Sequence, residues 1–462
     1  CDPGQIQCDE YRNAKKGEEC MPWFTWHGFR YFELTNNAKP VRCEVVHSDC
    51  AVTSAFESDS EMLNWLYDAY IRTQLSNMHS GVPSDCPHIE RLGYTGDGQL
   101  CCEAAMMLLD SQKFYQKWLE DISDCQSTDN GHVQHTAPFM GGGGGPAGWG
   151  GAIAVVPYEM YKMYGDRETF RRYLPKILRY FDYLDSRSFG GLVCREEQGG
   201  WCLGDWCTPE PIAICEPFVN TALYVKQMLM TKEVAEAIGE NETAQMLGRR
   251  IEEKRQAILN AYYSPQTGSF IGDVQGANSF ATDIGLGGER AYENTRKKYS
   301  AADSFDTGIF GTDILTRVLF ERGDANTAFR LLTSEGKGSF YNMKKQGATT
   351  IWENWDGERS HSHPMFGAAT RYLFSFILGI TQEKKSAGYE HILIAPQIPD
   401  GLNYASGYIT TVRGKISVTF KRTESEADFY VTVPQRARFT YGSDCEFELR
   451  DGENHIHIDF EE

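Results

Sequence analysis

No long apolar run is present: the longest, Leu373 to Ile380, falls far short of the roughly 18 to 20 residues of a membrane-spanning helix. Positive charge is also scarce. Against 64 acidic residues stand 45 basic ones, a net charge of −19, which repels phosphate backbones and anionic lipid surfaces. Nucleic-acid and membrane partners are therefore not expected. No CxxC pair occurs, and the 14 cysteines are scattered, with Cys101 and Cys102 adjacent. That pattern suits neither a zinc site nor a disulfide framework; it reads as mostly reduced, buried thiols and leans toward the cytoplasm. The run Gly141 to Gly145 lacks the following Lys-Ser or Lys-Thr of a phosphate-binding loop, so no nucleotide cofactor is implied. No repeat of fixed period marks a solenoid. The sequence begins at Cys1 and shows no charged-then-apolar leader, and the chain reads as part of a longer protein.

Aromatic residues are abundant: 24 Tyr, 25 Phe and 9 Trp, useful as core and as stacking platforms for sugar faces. From Met21 to Val46 apolar residues alternate (Phe24, Trp26; Phe29, Tyr31; Val41, Cys43, Val45), which predicts strands closing a β domain. After Ser58 the spacing turns helical, with Met62, Leu63, Leu66, Tyr70 and Ile71 on one face. Further helices are expected at about 100–120, 152–164, 167–186, 213–238, 241–262, 309–333 and 365–379, joined by long Gly- and aromatic-rich loops where function usually sits. From Ile392 the period returns to two, through Ile416, Val418, Phe420, then Phe429, Val431, Val433, then Ile456, Ile458, Phe460. The expectation is a mainly α chain: the end of an N-terminal β domain (1–50), an (α/α)6 barrel (51–385) and a C-terminal β-sandwich (386–462).

Chemistry-bearing residues crowd Ser84 to Asp97, where Asp85, Glu90 and Asp97 accompany Arg91 in a Pro- and Gly-punctuated loop. Glycosidic hydrolysis needs one acid to protonate the leaving oxygen and a second carboxylate, as base or nucleophile, on the far side. Glu90 suits the acid, and Asp85 and Asp97 suit charge-assisted hydrogen bonds to sugar hydroxyls. Read differently, the loop caps the following helix through Asp97. The second carboxylate is Glu353, between Trp352 and Trp355; rings there exclude water and shape a pocket, or else serve the core. Trp201, Asp205 and Trp206 form another aromatic and acid cluster, and Trp149 follows the glycine run. His361 and His363 lack an acid partner at metal-ligand spacing, so no metal is expected.

The loop Asp85 to Asp97 resembles the signature of glycoside hydrolase family 78, the α-L-rhamnosidases: Asp-Cys-Pro, then Glu-Arg, then Gly-aromatic-x-Gly-Asp. Agreement extends to 24–31, Gly148-Trp149-Gly150, Gly204-Asp205-Trp206, Gly347 to Gly357 and 387–391. The resemblance implies an (α/α)6 barrel, a C-terminal β-sandwich, inversion of configuration and no catalytic metal. It puts the general acid on Glu90 and the general base on Glu353, with Asp85, Arg91, Asp97, Trp149, Trp201, Asp205, Trp206, Trp352 and His363 at the sugar. The partner implied is a rhamnose-containing glycan or glycoside, and a homodimer is an allowed assembly. Two departures stand out: Gly151 replaces an acid common after Trp-Gly, and Arg359 to Pro364 replaces Asn-Ser-Phe-Asn before the histidine. The alternatives are a carbohydrate-binding homologue without turnover, or a toroidal hydrolase of another deoxy sugar or a uronic acid.

Overall fold

The computed structural model describes residues 7–443 and 445–460. Helices dominate from Glu61 to Lys345, and several begin where a polar side chain closes the first turn. Ser60 accepts from the Leu63 amide, Asp166 from Thr169 and Asp324 from Thr327, each satisfying an amide that the helix leaves unpaired. Consecutive helices pair, as in Ala152–Tyr164 with Arg167–Ser186 and Glu216–Ala237 with Asn241–Tyr262. Their buried faces share one core that includes Leu63, Trp118, Tyr180, Phe218 and Leu319, each fully buried. No described helix is long and apolar enough to cross a membrane.

One device recurs along the helical part. The helices Glu61–Ser76, Arg167–Ser186 and Asn241–Tyr262 each run into a two-stranded ribbon, formed by 78–79 with 82–83, 188–189 with 192–193, and 263–264 with 269–270. After the first two ribbons the chain leaves regular structure for a long loop, 84–94 and 194–215. Those loops, with 346–364, carry nearly every residue singled out by its chemistry.

Several helix boundaries differ from the sequence expectation. The helix expected at 100–120 is two helices, Thr95–Leu108 and Gln112–Asp124, because the backbone between them is captured by tertiary bonds: Leu109 bridges Val52, and the Asp110 amide donates to Ala51. The expected helix 309–333 breaks into Ile309–Glu321 and Ala325–Thr333 at Gly323, whose φ of +76° is in the left-handed region. Residues 365–379 form a 3-10 turn and a short π-helix instead of an α-helix. Helices at Ala277–Asp283 and Gly288–Ser300 were not expected at all.

The C-terminal part is two sheets. The larger is antiparallel, in the order 54–58, 404–411, 414–422, 426–433, 452–459; the smaller runs 445–449, 437–441, 392–394, 380–382. The alternation read from the sequence points Ile416, Val418, Phe420, Phe429, Val431 and Val433 inward, all buried, and Phe429 meets Phe439 of the smaller sheet at 5.1 Å. The edge strand Ser54–Ser58 comes from the opposite end of the sequence, with Phe56 opposite Gly407.

The strands expected between Met21 and Val46 do not form. That stretch is irregular, and Trp23, Phe24, Tyr31, Val41 and Val45 are all exposed. Alternation makes a strand only where another strand accepts its hydrogen bonds, and no described strand lies beside it. The described cysteines are all free thiols, but they differ from expectation in burial, since only Cys50, Cys86, Cys101 and Cys102 are buried.

Candidate active site

The site centres on His363 of the loop 346–364, a residue that is 5% exposed. Its Nε2 lies 2.7 Å from Asp97 Oδ1, and its Nδ1 faces Glu353 Oε2 at 3.8 Å. Asp97 stands in the first turn of the helix Thr95–Leu108, whose N-terminus is fixed by the Thr95 amide donating to the His135 carbonyl. Asp97 is thus not spent on capping; it is aimed at the histidine. Burial alone would depress the pKa of His363, but the hydrogen bond and charge of Asp97, joined by Glu353 and Asp85, hold it up at about 9. The ring is therefore a cation at neutral pH, flanked by carboxylates.

Glu353 is itself buried. Its Oε2 accepts from the Ser360 amide at 3.1 Å, and Arg359 approaches Oε1 at 3.5 Å. The flanking tryptophans separate. Trp352 stacks on His361 at 4.1 Å, whereas Trp355 lies in the core against Phe305 and Phe366.

Asp85 is 1% exposed. Oδ1 accepts from the Leu92 amide at 2.8 Å, closing the loop on itself, while Oδ2 has no hydrogen-bond partner among the described residues. Burial drives its pKa up to about 7; His363 and a hydrogen bond from the Cys86 thiol oppose the rise, and Asp97 and Glu90 add to it. Glu90 is exposed at the rim of the same loop, within electrostatic reach of Asp85 and Tyr94. Arg91, at a left-handed φ of +56°, turns to the N-terminal segment: it donates to the Trp26 carbonyl at 3.4 Å and lies 5.8 Å above the Trp26 ring. The described contacts do not join it to the acids.

The tryptophans occupy different depths. Trp149 is buried with its indole on Gly96, where a Cβ would come within 2.7 Å of the ring, so the turn bearing Asp97 tolerates only glycine there. Trp201 is 62% exposed and covers Gly143; Trp206 is half-buried. The acid lacking at position 151 has no space, since a Cβ would meet the Gln227 side chain at 2.0 Å.

Asp205 requires a correction. Instead of facing a sugar, its carboxylate accepts from the amides of Gly308 (2.7 Å), Phe310 (2.9 Å), Gly311 (3.3 Å) and Trp206 (3.2 Å), sealing the N-terminus of the helix Ile309–Glu321. An anion at that end also meets the positive pole of the helix. With both oxygens engaged, it has no acceptor capacity left for a ligand.

Two protein-family models match in succession: the bacterial alpha-L-rhamnosidase 6 hairpin glycosidase domain over residues 51–377, and the bacterial alpha-L-rhamnosidase C-terminal domain over 379–441. The chain belongs to the bacterial α-L-rhamnosidase six-hairpin glycosidase family. It is 30% identical to an α-L-rhamnosidase of Streptomyces avermitilis, over 92% of this chain and 42% of that protein. It is 28% identical to one of Alteromonas sp. (strain LOR), over 93% and 51%. The chain thus spans about half the length of the curated relatives it matches. Among solved structures, the Streptomyces avermitilis α-L-rhamnosidase complexed with L-rhamnose superposes with a TM-score of 0.81 at 25% identity, covering 89% of this chain and 43% of that one. An α-L-rhamnosidase of Dictyoglomus thermophilum shares the fold with a TM-score of 0.83 at 21% identity, covering 90% and 52%.

In this six-hairpin glycosidase chain, the sequence reading passed over three neighbours of the acids. Tyr94 is surrounded by Glu90, Asp85 and Asp97, and its phenol is pushed up by burial and by those charges. Cys207, next to Trp206, is a half-buried thiol pushed up by desolvation and by Glu353 and Asp97, on a residue with φ of +59°. Arg359, also at positive φ, supplies the cation beside Glu353. A non-glycine residue held at positive φ often marks a functional loop, but φ is not readable from the residue type.

Proposed function

We propose that this chain carries the catalytic centre of an inverting α-L-rhamnosidase that releases terminal α-L-rhamnose from a glycan or glycoside. One observation carries the reading: within a buried cluster of three carboxylates and a cationic imidazole, Asp85 Oδ2 and His363 Nδ1 have no hydrogen-bond partner among the described residues. An unpaired buried acceptor and an unpaired buried donor in one cluster are costly in a core and are what sugar hydroxyls would satisfy. Glu353, buried and anchored by Ser360, is the base that takes a proton from the attacking water. Glu90, exposed at the rim, is the acid that protonates the departing oxygen where the aglycone leaves. Asp85, Asp97 and His363 hold the ring, Trp149, Trp352 and Trp206 wall the pocket, Trp201 offers a stacking face at its mouth, and Arg91 acts at most through Trp26.

The finer architecture belongs to the same proposal. The paired helices form an (α/α)6 toroid within 51–385, and 386–462 forms the sandwich, which borrows Ser54–Ser58 as its edge strand.

The test is hydrolysis of p-nitrophenyl α-L-rhamnopyranoside by the chain and by its Glu90→Gln and Glu353→Gln variants, with NMR of the first-formed anomer. Turnover that both variants lose, with β-L-rhamnose appearing first, supports the proposal; first release of α-L-rhamnose overturns inversion. Rhamnose binding without turnover would instead favour a sugar-binding homologue.

A further inference from the structure

A second cluster of ligating side chains lies outside the carboxylates around His363. His132 and His135, on the loop after the helix Gln112–Asp124, converge with Glu196 from the loop after the ribbon 188–193. All three are less than 9% exposed. Glu196 Oε2 lies 3.0 Å from His135 Nε2, and Oε1 lies 3.4 Å from His132 Nε2. The carboxylate is held in place by the Tyr183 hydroxyl and by the Glu197 amide at 2.9 Å. The nearby cation is already occupied: Arg187 pairs with Glu197 at 2.5 Å and packs on the Tyr183 ring.

His132 supplies the independent observation. Its Nε2 is buried, points into the cluster and makes no hydrogen bond among the described residues. A ring nitrogen brought this close to a carboxylate without bonding to it is an unused ligand. Two ligand atoms on a tetrahedral zinc at about 2.0–2.1 Å lie about 3.3 Å apart; each imidazole is already within 3.4 Å of a Glu196 oxygen, and one ligand atom from each residue lies within 4.8 Å of the other two, so a small closure of the three side chains brings them to that spacing. Two imidazoles and one carboxylate suit a borderline-soft divalent ion and not Ca2+ or Mg2+, which take oxygen ligands.

We propose that His132, His135 and Glu196 bind one divalent transition-metal ion, best matched by Zn2+, with water as the fourth ligand. The ion is structural. It pins the loop 126–137, whose His135 carbonyl fixes the Thr95 amide two residues before Asp97, to the loop bearing Trp201 and Asp205. The proposal does not depend on the rhamnosidase reading, since its test measures metal and stability, not turnover.

The whole chain, stripped with EDTA and dialysed metal-free, is titrated with ZnCl2 by calorimetry and with CoCl2 by visible absorption. One equivalent should bind, with Co2+ developing a d–d band and Tm rising by about 3 °C at a hundredfold excess over Kd. His132→Gln should weaken binding at least about tenfold while keeping the near-UV dichroism of the unmodified chain, because this nitrogen has no protein bond to lose; Glu196→Gln should abolish binding. His457→Gln, in the exposed Glu426, His457 and Asp459 cluster, should leave the titration unchanged. The proposal is overturned if the folded chain binds no stoichiometric Zn2+ or Co2+. It is equally overturned if His132→Gln binds as the unmodified chain does, or if His457→Gln is the variant that loses the ion.

Discussion

Asp85 and Asp205 are both buried aspartates on loops rich in glycine and aromatic residues, and burial pushes both carboxyls up, to about 7 and about 6. They differ in what meets them. Asp205 is filled by three backbone amides at a helix N-terminus and by the amide of Trp206 beside it, whereas Asp85 keeps one oxygen without a partner. Burial and an acidic side chain do not by themselves distinguish a structural cap from a ligand-binding group; the unfilled hydrogen-bonding capacity does.

The comparison can be broken or sharpened by substitution. The largest effect is expected on the side of the unfilled cluster: Glu353→Gln should lower kcat for an aryl rhamnoside by about 10³-fold, with the thermal midpoint nearly unchanged. Asp205→Ala should do the reverse, costing about 3 kcal/mol of stability by orphaning buried amides and leaving the KM of the folded fraction alone. If Asp205→Ala instead raised KM with no loss of stability, the distinction between the two aspartates would fail. Asp85→Asn should weaken rhamnose binding by about 30-fold, read by calorimetry, while removing the cost of a buried ionised carboxylate at neutral pH.

A smaller effect concerns pH. The folded pKa of His363 is raised from 6.5 to about 9, so its stabilising contribution is fully present below pH 6.5 and is lost as pH rises through 9. Asp85 acts in the same sense at lower pH: its raised pKa means that the fold loses stability from about pH 4 to 7. Denaturant unfolding should therefore show stability falling between pH 6.5 and 9, and His363→Gln should flatten that slope; a slope unchanged in the variant would place the titration elsewhere. The smallest effect is expected for Arg91→Ala, less than about threefold on KM, because its guanidinium is exposed and lies against Trp26.

Reading particular elements from the sequence succeeded where the determinant was local. Period-two alternation marked 416–420 and 429–433 because one face of each strand meets the core, and helical spacing marked 152–164 and 167–186 for the corresponding reason. It failed where distant segments intervene. The break after Leu108 is made by Ala51 and Val52, and Met21 to Val46 has the alternation of strands with no described strand to pair with. In the site, the concentration of acids in 84–97 and the Trp-Glu-x-Trp stretch were visible. The convergence of Asp97 and Glu353 on His363 was not, since these residues are joined by hydrogen bonding across 266 positions of sequence in one case and by a 3.8 Å approach in the other.

The sequence alone determined the acidic charge, the helical middle, the C-terminal strands and the segments where carboxylates gather, because composition and periodicity act through neighbours a few residues apart. Only the tertiary structure decided which carboxylates are already satisfied and which are not. That depends on backbone amides such as those of Gly308 and Phe310, whose position is set by packing over a hundred residues away from Asp205, and residue type carries no record of such distances.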